Sequence, residues 1–256
     1  MLTESRSRSP GMVENYLKYK LDYPRKLIDF LYNECDFSWE SVIADIGSGT
    51  GTFTRLLLER GSRVVAIEPD RELRETAERI LEDEFPRFFS LEATAENTTL
   101  SDRSIHHIVC AQSFHFFDTK KCRKEFRRIL RPGGSVALIV MMPSCHDEFS
   151  SECEALIRRH SKDIPETGDS SLDSIYSDFF QKFGYSTLSL SSQLSLDFDS
   201  FSGRLLSSFN LPGPFDEGHE DLMEEMDLLF ELYQQSGRVT YMYDLKVYAG
   251  KLDTVG

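Results

Sequence analysis

The sequence has little positive charge, no long apolar run and no paired-cysteine motif. Among 256 residues, 29 Lys and Arg stand against 43 Asp and Glu, a formal net charge of −14 at pH 7. Such a surface repels a polyphosphate backbone unless cations are concentrated locally, and the Lys and Arg read as scattered among carboxylates, so nucleic acid is not an expected partner. The longest unbroken apolar run, Val136 to Met142, falls far short of the ~20 residues that span a bilayer, so no membrane partner is expected either. The first eleven residues, MLTESRSRSPG, carry no apolar stretch of the secretory kind and are expected to form a disordered tail. Cys35, Cys110, Cys122, Cys145 and Cys153 are odd in number and without CxxC spacing, which predicts reduced thiols in a cytoplasmic protein. A chain of this length buries roughly three quarters of its extended surface and needs no disulfide or metal staple.

What is present is alternation. From Met12 to Cys35 apolar residues recur at helical spacing, broken near Tyr23-Pro24, because proline disfavours helix at the residue before it; two short helices are predicted. Val42 to Ile46 reads as a strand that stops at Gly47-Ser-Gly-Thr-Gly51 and passes into a helix carrying Phe53, Leu56 and Leu57. A second unit runs from the strand Arg63–Ile67 through Glu68-Pro69-Asp70 into a helix, with Asp70 as its N-cap. Strands follow at 88–91, 105–111 and 135–142, with a helix over 120–130 that Arg131-Pro-Gly-Gly134 is expected to close through a left-handed glycine cap. Strand and helix in such repetition predict a parallel α/β sheet. Later, Leu188, Leu190, Leu194, Leu196 and Phe198, and then Val239, Tyr241, Tyr243, Leu245 and Val247, fall on alternate positions and predict two half-buried antiparallel strands at the sheet's edge. The helix between them turns Leu222, Met226, Leu229, Phe230 and Tyr233 inward. No internal repeat is evident.

The strongest chemical signal is Asp45-Ile-Gly-Ser-Gly-Thr-Gly51 at the carboxyl end of the first strand, since a glycine turn opening a helix lets backbone approach a ligand closely. A dinucleotide fingerprint wants G-x-G-x-x-G, and its third glycine is Thr52 here; no P-loop lysine follows either, so a nucleoside triphosphate is not expected. Glu68 ends the second strand, where an acid accepts hydrogen bonds from ribose hydroxyls. Ribose without pyrophosphate is the implied ligand. The plain alternative is a structural glycine turn beside a helix-capping acid.

These segments resemble the class I S-adenosylmethionine-dependent methyltransferases. VIADIGSGTGTFT is similar to that family's first motif, Glu68 to its ribose acid, Ala95-Glu96 to its adenine segment and LRPGGSVALI to the motif after its fourth strand. Ala111-Gln-Ser-Phe-His-Phe-Phe-Asp118 resembles the AQSFHWFD signature of a subgroup that includes trans-aconitate methyltransferase-like enzymes, with Phe116 where Trp is usual. The segments Tyr16–Pro24 and Arg204–Pro212 resemble the same subgroup, with Lys20-Leu21 where Arg-Pro is usual.

The resemblance implies a Rossmann-like class I fold: a seven-stranded mixed sheet, its last strand antiparallel, with helices on both faces. It implies one methyltransferase domain over 12–256, with a helical lid at 12–38 and helical insertions at 143–185 and 199–236 that shape an acceptor pocket. S-adenosyl-L-methionine would be held by Tyr16, Tyr19, Asp45, Gly47, Ser48, Gly49, Gly51, Glu68, Pro69, Ala95, Glu96 and Gln112. His115 would orient a small organic acceptor or take its proton, although a carboxylate acceptor needs no base. A sulfonium methyl is already activated, so transfer is an in-line displacement governed mainly by positioning, which is why few side chains are diagnostic. The rivals are a methyltransferase-like protein that binds the cofactor without methyl transfer or catalyses a different reaction in the same pocket, and a nicotinamide oxidoreductase, which the missing third glycine opposes. No metal is expected: Cys145, His146, Asp147, Cys153 and His160 match no zinc spacing, and His106 and His107 point to opposite faces of a strand.

Overall fold

The structure, a computed structural model, describes residues 23–144, 147–161, 175–176, 178–180, 184–206 and 211–252. Tyr16, Tyr19, Cys145, Phe183 and Asn210 lie outside the described residues. Those described fall into two compact units. The larger holds 23–140, the described residues within 168–189, and 246–252; the smaller holds the described residues within 141–167 and 190–245.

The larger unit begins with α1 (Arg25–Glu34), which buries Leu27, Ile28, Phe30 and Leu31 on one face. Two strand–helix pairs follow: β1 (Val42–Ile46) with α2 (Thr52–Glu59), and β2 (Arg63–Ile67) with α3 (Arg71–Leu81). Asp70 caps α3 as expected, its carboxylate accepting from the Leu73 backbone N–H at 3.1 Å, which satisfies a donor that the helix itself leaves open. Then come β3 (Phe88–Leu91), β4 (Ile105–Ala111), a single 3-10 turn (Phe114–Phe116), α4 (Thr119–Ile129) and β5 (Leu130–Pro143). Strand β1 pairs in parallel with β2 and β4, β2 with β3, and β4 with β5. Ile43, Ala44, Ile46, Val64, Ile67, Ile108 and Val109 are all but inaccessible, the pattern of parallel strands covered on both faces.

In the smaller unit, α5 (Glu148–His160), α6 (Phe198–Leu206) and α7 (His219–Tyr233) share a core of Phe149, Cys153, Leu156, Phe201, Leu205, Leu222, Met226 and Phe230. Glu225 on α7 accepts from Arg159 and meets His160 at 2.7 and 3.0 Å. Strands β6 (Ser186–Leu196) and β7 (Val239–Lys251) complete a seven-stranded mixed sheet in the order β3-β2-β1-β4-β5-β7-β6.

Four expectations are corrected. The segment Arg131–Gly134 does not cap α4: the helix ends on Leu130, whose backbone is already extended because it pairs with Ile105. Gly133 is left-handed, φ +82°, within β5 and near a register shift rather than at a helix end. Phe198 starts α6 instead of ending β6. Strand β7 lies inside the sheet between β5 and β6, so only β6 is at that edge. Finally, the cations are not evenly scattered: Lys120, Lys121, Arg123, Lys124, Arg127 and Arg128 all belong to the eleven residues of α4.

Candidate cofactor site

The order of the sheet reverses between β1 and β4, so their carboxyl ends border the crevice where open α/β sheets take ligands. The glycine turn sits at that end of β1 and is fixed from β2. Gly47 and Ser48 both donate their backbone N–H to the Ile67 carbonyl, at 2.8 and 3.2 Å. Gly49 donates to Glu68 Oε2 at 2.9 Å, while Asp70 N–H donates to Oε1 at 2.9 Å. Glu68 is buried and braces the turn through these two hydrogen bonds.

The glycines of the turn do different work. All three are left-handed. A methyl group on Gly47 would come within 2.5 Å of the Ser113 Cβ, and one on Gly51 within 2.6 Å of Leu81, whereas one on Gly49 would meet no atom of the described residues within 4 Å. Gly47 and Gly51 are therefore required by packing, and packing does not require a glycine at 49.

Asp45, the penultimate residue of β1, is fully buried. Its Oδ2 accepts from Thr54 Oγ1 at 2.6 Å, but Oδ1, equally buried, has no hydrogen-bond partner among the described residues. Burial pushes its pKa up to about 7, and the Glu68 carboxylate adds to that against the Thr54 hydrogen bond. An acceptor left without a donor in the interior costs about 1–3 kcal/mol. A cationic ligand group at Oδ1 would supply the missing donor.

At the end of β4, Gln112 takes a left-handed backbone, φ +62°, uncommon for a side chain of its kind and a form of strain that concentrates at functional sites. Its N–H donates to the Ile139 carbonyl at 2.9 Å. Ser113 next to it donates to the Ile46 carbonyl at 2.7 Å, tying β4 to β1.

The structure thus brings together Asp45, Gly47, Ser48, Gly49, Glu68 and the Gln112–Ser113 corner. Pro69 is exposed and Ala95 buried. Glu96 Oε1 accepts from the N–H of Asp118, the N-cap of α4, at 3.0 Å. His115 lies in the 3-10 turn with its ring centroid 4.0 Å from that of Phe116. The side chain is exposed, yet surrounding protein lowers its pKa by desolvation, so the imidazole is neutral at pH 7. Two site residues escaped the sequence reading, Ser113 and Thr54. Their only signal was a small polar residue where the neighbouring chain is apolar.

The residues fit an S-adenosylmethionine-type ligand on three counts: an orphaned buried carboxylate oxygen, a glycine at 49 that packing does not require and a buried acid at the end of β2. Among the described residues no group of three His, Cys, Asp or Glu could hold a metal ion, and no helix is long and apolar enough to cross a membrane. His106 and His107 are each engaged elsewhere, His106 Nδ1 accepting from Val42 N–H at 2.9 Å and His107 meeting Ser135 Oγ at 2.8 Å.

Residues 44–138 match the family described as a methyltransferase domain. An uncharacterized methyltransferase of Mycobacterium bovis is 34% identical over 124 residues, covering 48% of this chain and 48% of that protein. The chain spans between 48% and 59% of the length of the first curated relatives it matches. The crystal structure of the YcgJ protein from Bacillus subtilis is similar at a TM-score of 0.60 and 17% identity, over 90% of this chain and all of that one. A phosphoethanolamine N-methyltransferase of Haemonchus contortus, solved with S-adenosylhomocysteine, is similar at a TM-score of 0.54 and 14% identity, over 94% of this chain and 57% of that one. The fold is the Rossmann-like one of class I methyltransferases.

Proposed function

We propose that this chain is an S-adenosylmethionine-dependent methyltransferase acting on a small organic acceptor, on a carboxylate or hydroxyl oxygen before nitrogen. The observation that carries the reading is the buried Asp45 Oδ1, without a donor among the described residues, next to a glycine turn where a methyl on Gly49 would meet no atom of those residues within 4 Å. The similarity of residues 44–138 to a methyltransferase domain supports it.

S-adenosylmethionine, when bound, supplies a methyl group already activated on sulfur. The chain's own residues then have to hold and orient. Asp45 Oδ1 receives the ammonium of the amino-acid end, with the Gln112 corner beside it. Glu68, at the end of β2 beside the turn, accepts from the ribose hydroxyls, and Gly47, Ser48 and Gly51 keep the turn's path. Pro69, Ala95 and Glu96 border the adenine, and the sequence resemblance supports a cofactor-binding role for Tyr16 and Tyr19. His115, neutral at pH 7, orients the acceptor or takes its proton. The segments 143–185 and 199–236 select the acceptor, and the AQSFHFFD segment supports a carboxylate of the trans-aconitate methyltransferase-like kind. Free thiols at Cys35, Cys110, Cys122 and Cys153 support work in the reducing cytoplasm.

Calorimetry with S-adenosylmethionine and with S-adenosylhomocysteine tests the binding, and transfer of labelled methyl to a panel of carboxylic acids and phenols tests the reaction. Binding of neither ligand to folded protein would sink the proposal. Binding with no labelled product across the panel would favour a cofactor-binding protein instead. His115→Ala is expected to lower kcat by about 100-fold with little change in cofactor Kd; equal losses in both would make it a cofactor or folding residue.

A further inference from the structure

The net charge of −14 makes one feature of the larger unit stand apart. Lys120, Arg123, Lys124, Arg127 and Arg128 occur at i, i+3, i+4, i+7 and i+8 of α4, one face of a single helix, while Cys122, Phe126 and Ile129 take the buried face. Like charges at these spacings repel, and Lys120 in the first turn also meets the positive end of the helix dipole. Solubility does not ask for this in a chain whose surface is otherwise acidic.

With Arg103 these five side chains line one open concavity of about 380 Å³, and among the described residues Asp102 is the only carboxylate in its wall. Two guanidinium groups are fixed in place. Arg128 donates to Asp102 and, in a fork, to Glu125, and Arg123 donates to the Phe179 carbonyl and lies over its ring. Lys120 and Lys124 are exposed and have no ion-pair partner among the described residues. Orienting guanidinium groups beside ammonium groups within one hollow is the arrangement that recognises phosphate oxygens, by bidentate hydrogen bonds from arginine and point charge from lysine.

We infer that this concavity binds a ligand carrying two or more linked or neighbouring phosphate groups, at a site separate from the glycine turn. One phosphate cannot reach cations spread over two helical turns; a di- or triphosphate or a polyphosphorylated headgroup can. Binding adds no covalent step and is independent of the methyl-transfer proposal.

The test is calorimetric titration of inorganic tripolyphosphate into the full chain and into the double variant Lys120→Gln/Lys124→Gln, at low and at physiological salt. Both substitutions are on exposed positions of α4, and far-ultraviolet circular dichroism confirms an intact fold; Lys124→Arg serves as the charge-conserving control. The expected result is saturable binding that weakens about tenfold or more in the double variant, is retained in Lys124→Arg, and falls steeply with salt. Co-sedimentation with phosphatidylcholine vesicles containing phosphatidylinositol 4,5-bisphosphate separates the sources. Capture that the double variant loses assigns the phosphates to a lipid headgroup, and tripolyphosphate binding without capture assigns them to a soluble molecule. The inference is overturned by no tripolyphosphate binding, by binding that the double variant leaves unchanged, or by a single-stranded RNA displacing tripolyphosphate with an affinity that grows with RNA length.

Discussion

Two buried carboxylates in the larger unit have opposite surroundings. Glu125 on α4 is nearly inaccessible and fully engaged: Thr98 donates through its backbone N–H and hydroxyl at 2.8 and 2.6 Å, and Arg128 donates twice at 2.8 Å. Burial alone would raise its pKa, but these hydrogen bonds prevail and hold it at about 2. Asp45 accepts from Thr54 alone, its Oδ1 has no partner among the described residues, and its pKa is about 7. Glu125 is a structural tie, clamping the loop after β3 to the helix. Asp45 lacks the donors that a structural acid has, and this difference is the ground for proposing that it holds a ligand.

The largest test of this contrast is Gly49→Arg. A side chain there occupies the space proposed for the ligand, and cofactor affinity is expected to fall by about 1,000-fold or more, while the left-handed backbone costs roughly 1–2 kcal/mol of stability. Retained affinity in calorimetry would mean that the turn does not face the ligand. Asp45→Asn comes next, with affinity reduced by about 100-fold and thermal stability at pH 8 increased. The sign follows from Asp45 holding its proton to about pH 7 when folded but only to about 3.9 when unfolded. Its contribution to stability is complete below the unfolded value, is lost as pH rises through the folded one, and is restored by a neutral amide. A melting temperature that drops would place Asp45 with Glu125 as a structural group.

Glu125→Gln should do the reverse, costing about 2 kcal/mol in denaturant unfolding with cofactor affinity unchanged. Its folded pKa is depressed, so the stability it adds is present above the unfolded carboxylate range and disappears as the solution is acidified toward pH 2. The smallest effect is on the wild-type protein: cofactor affinity is expected to weaken about tenfold per pH unit below about 7, as Asp45 takes up a proton. A flat profile between pH 5.5 and 8 would separate the ammonium from Asp45.

Much of this architecture could be read before any coordinates. Strand, glycine turn and helix at 42–59, the Asp70 cap and the placement of Glu68 depend on local spacing, and local spacing is in the chain. The Leu130–Gly134 corner was misread because a proline followed by two glycines can terminate a helix or bend a strand, and pairing of Leu130 with Ile105 decides between them. The brace from Glu68 to Gly49 and the Ser113 tie to Ile46 connect residues 19 and 67 apart, and no periodicity reports such distances. The run KKCRKEFRR was visible as letters; only the helix face showed that its cations share one hollow instead of dispersing.

Gln112 holds a backbone conformation that glycine adopts without strain, at a cost of about 1 kcal/mol. It stands at the same strand ends as Asp45, whose neutralisation should also raise stability. A laboratory selection for heat resistance would therefore reach these two positions early, and under the proposed function its most durable descendants would lose cofactor affinity. Engineers seeking a robust form of this protein should freeze both residues and look for improvement in the smaller unit.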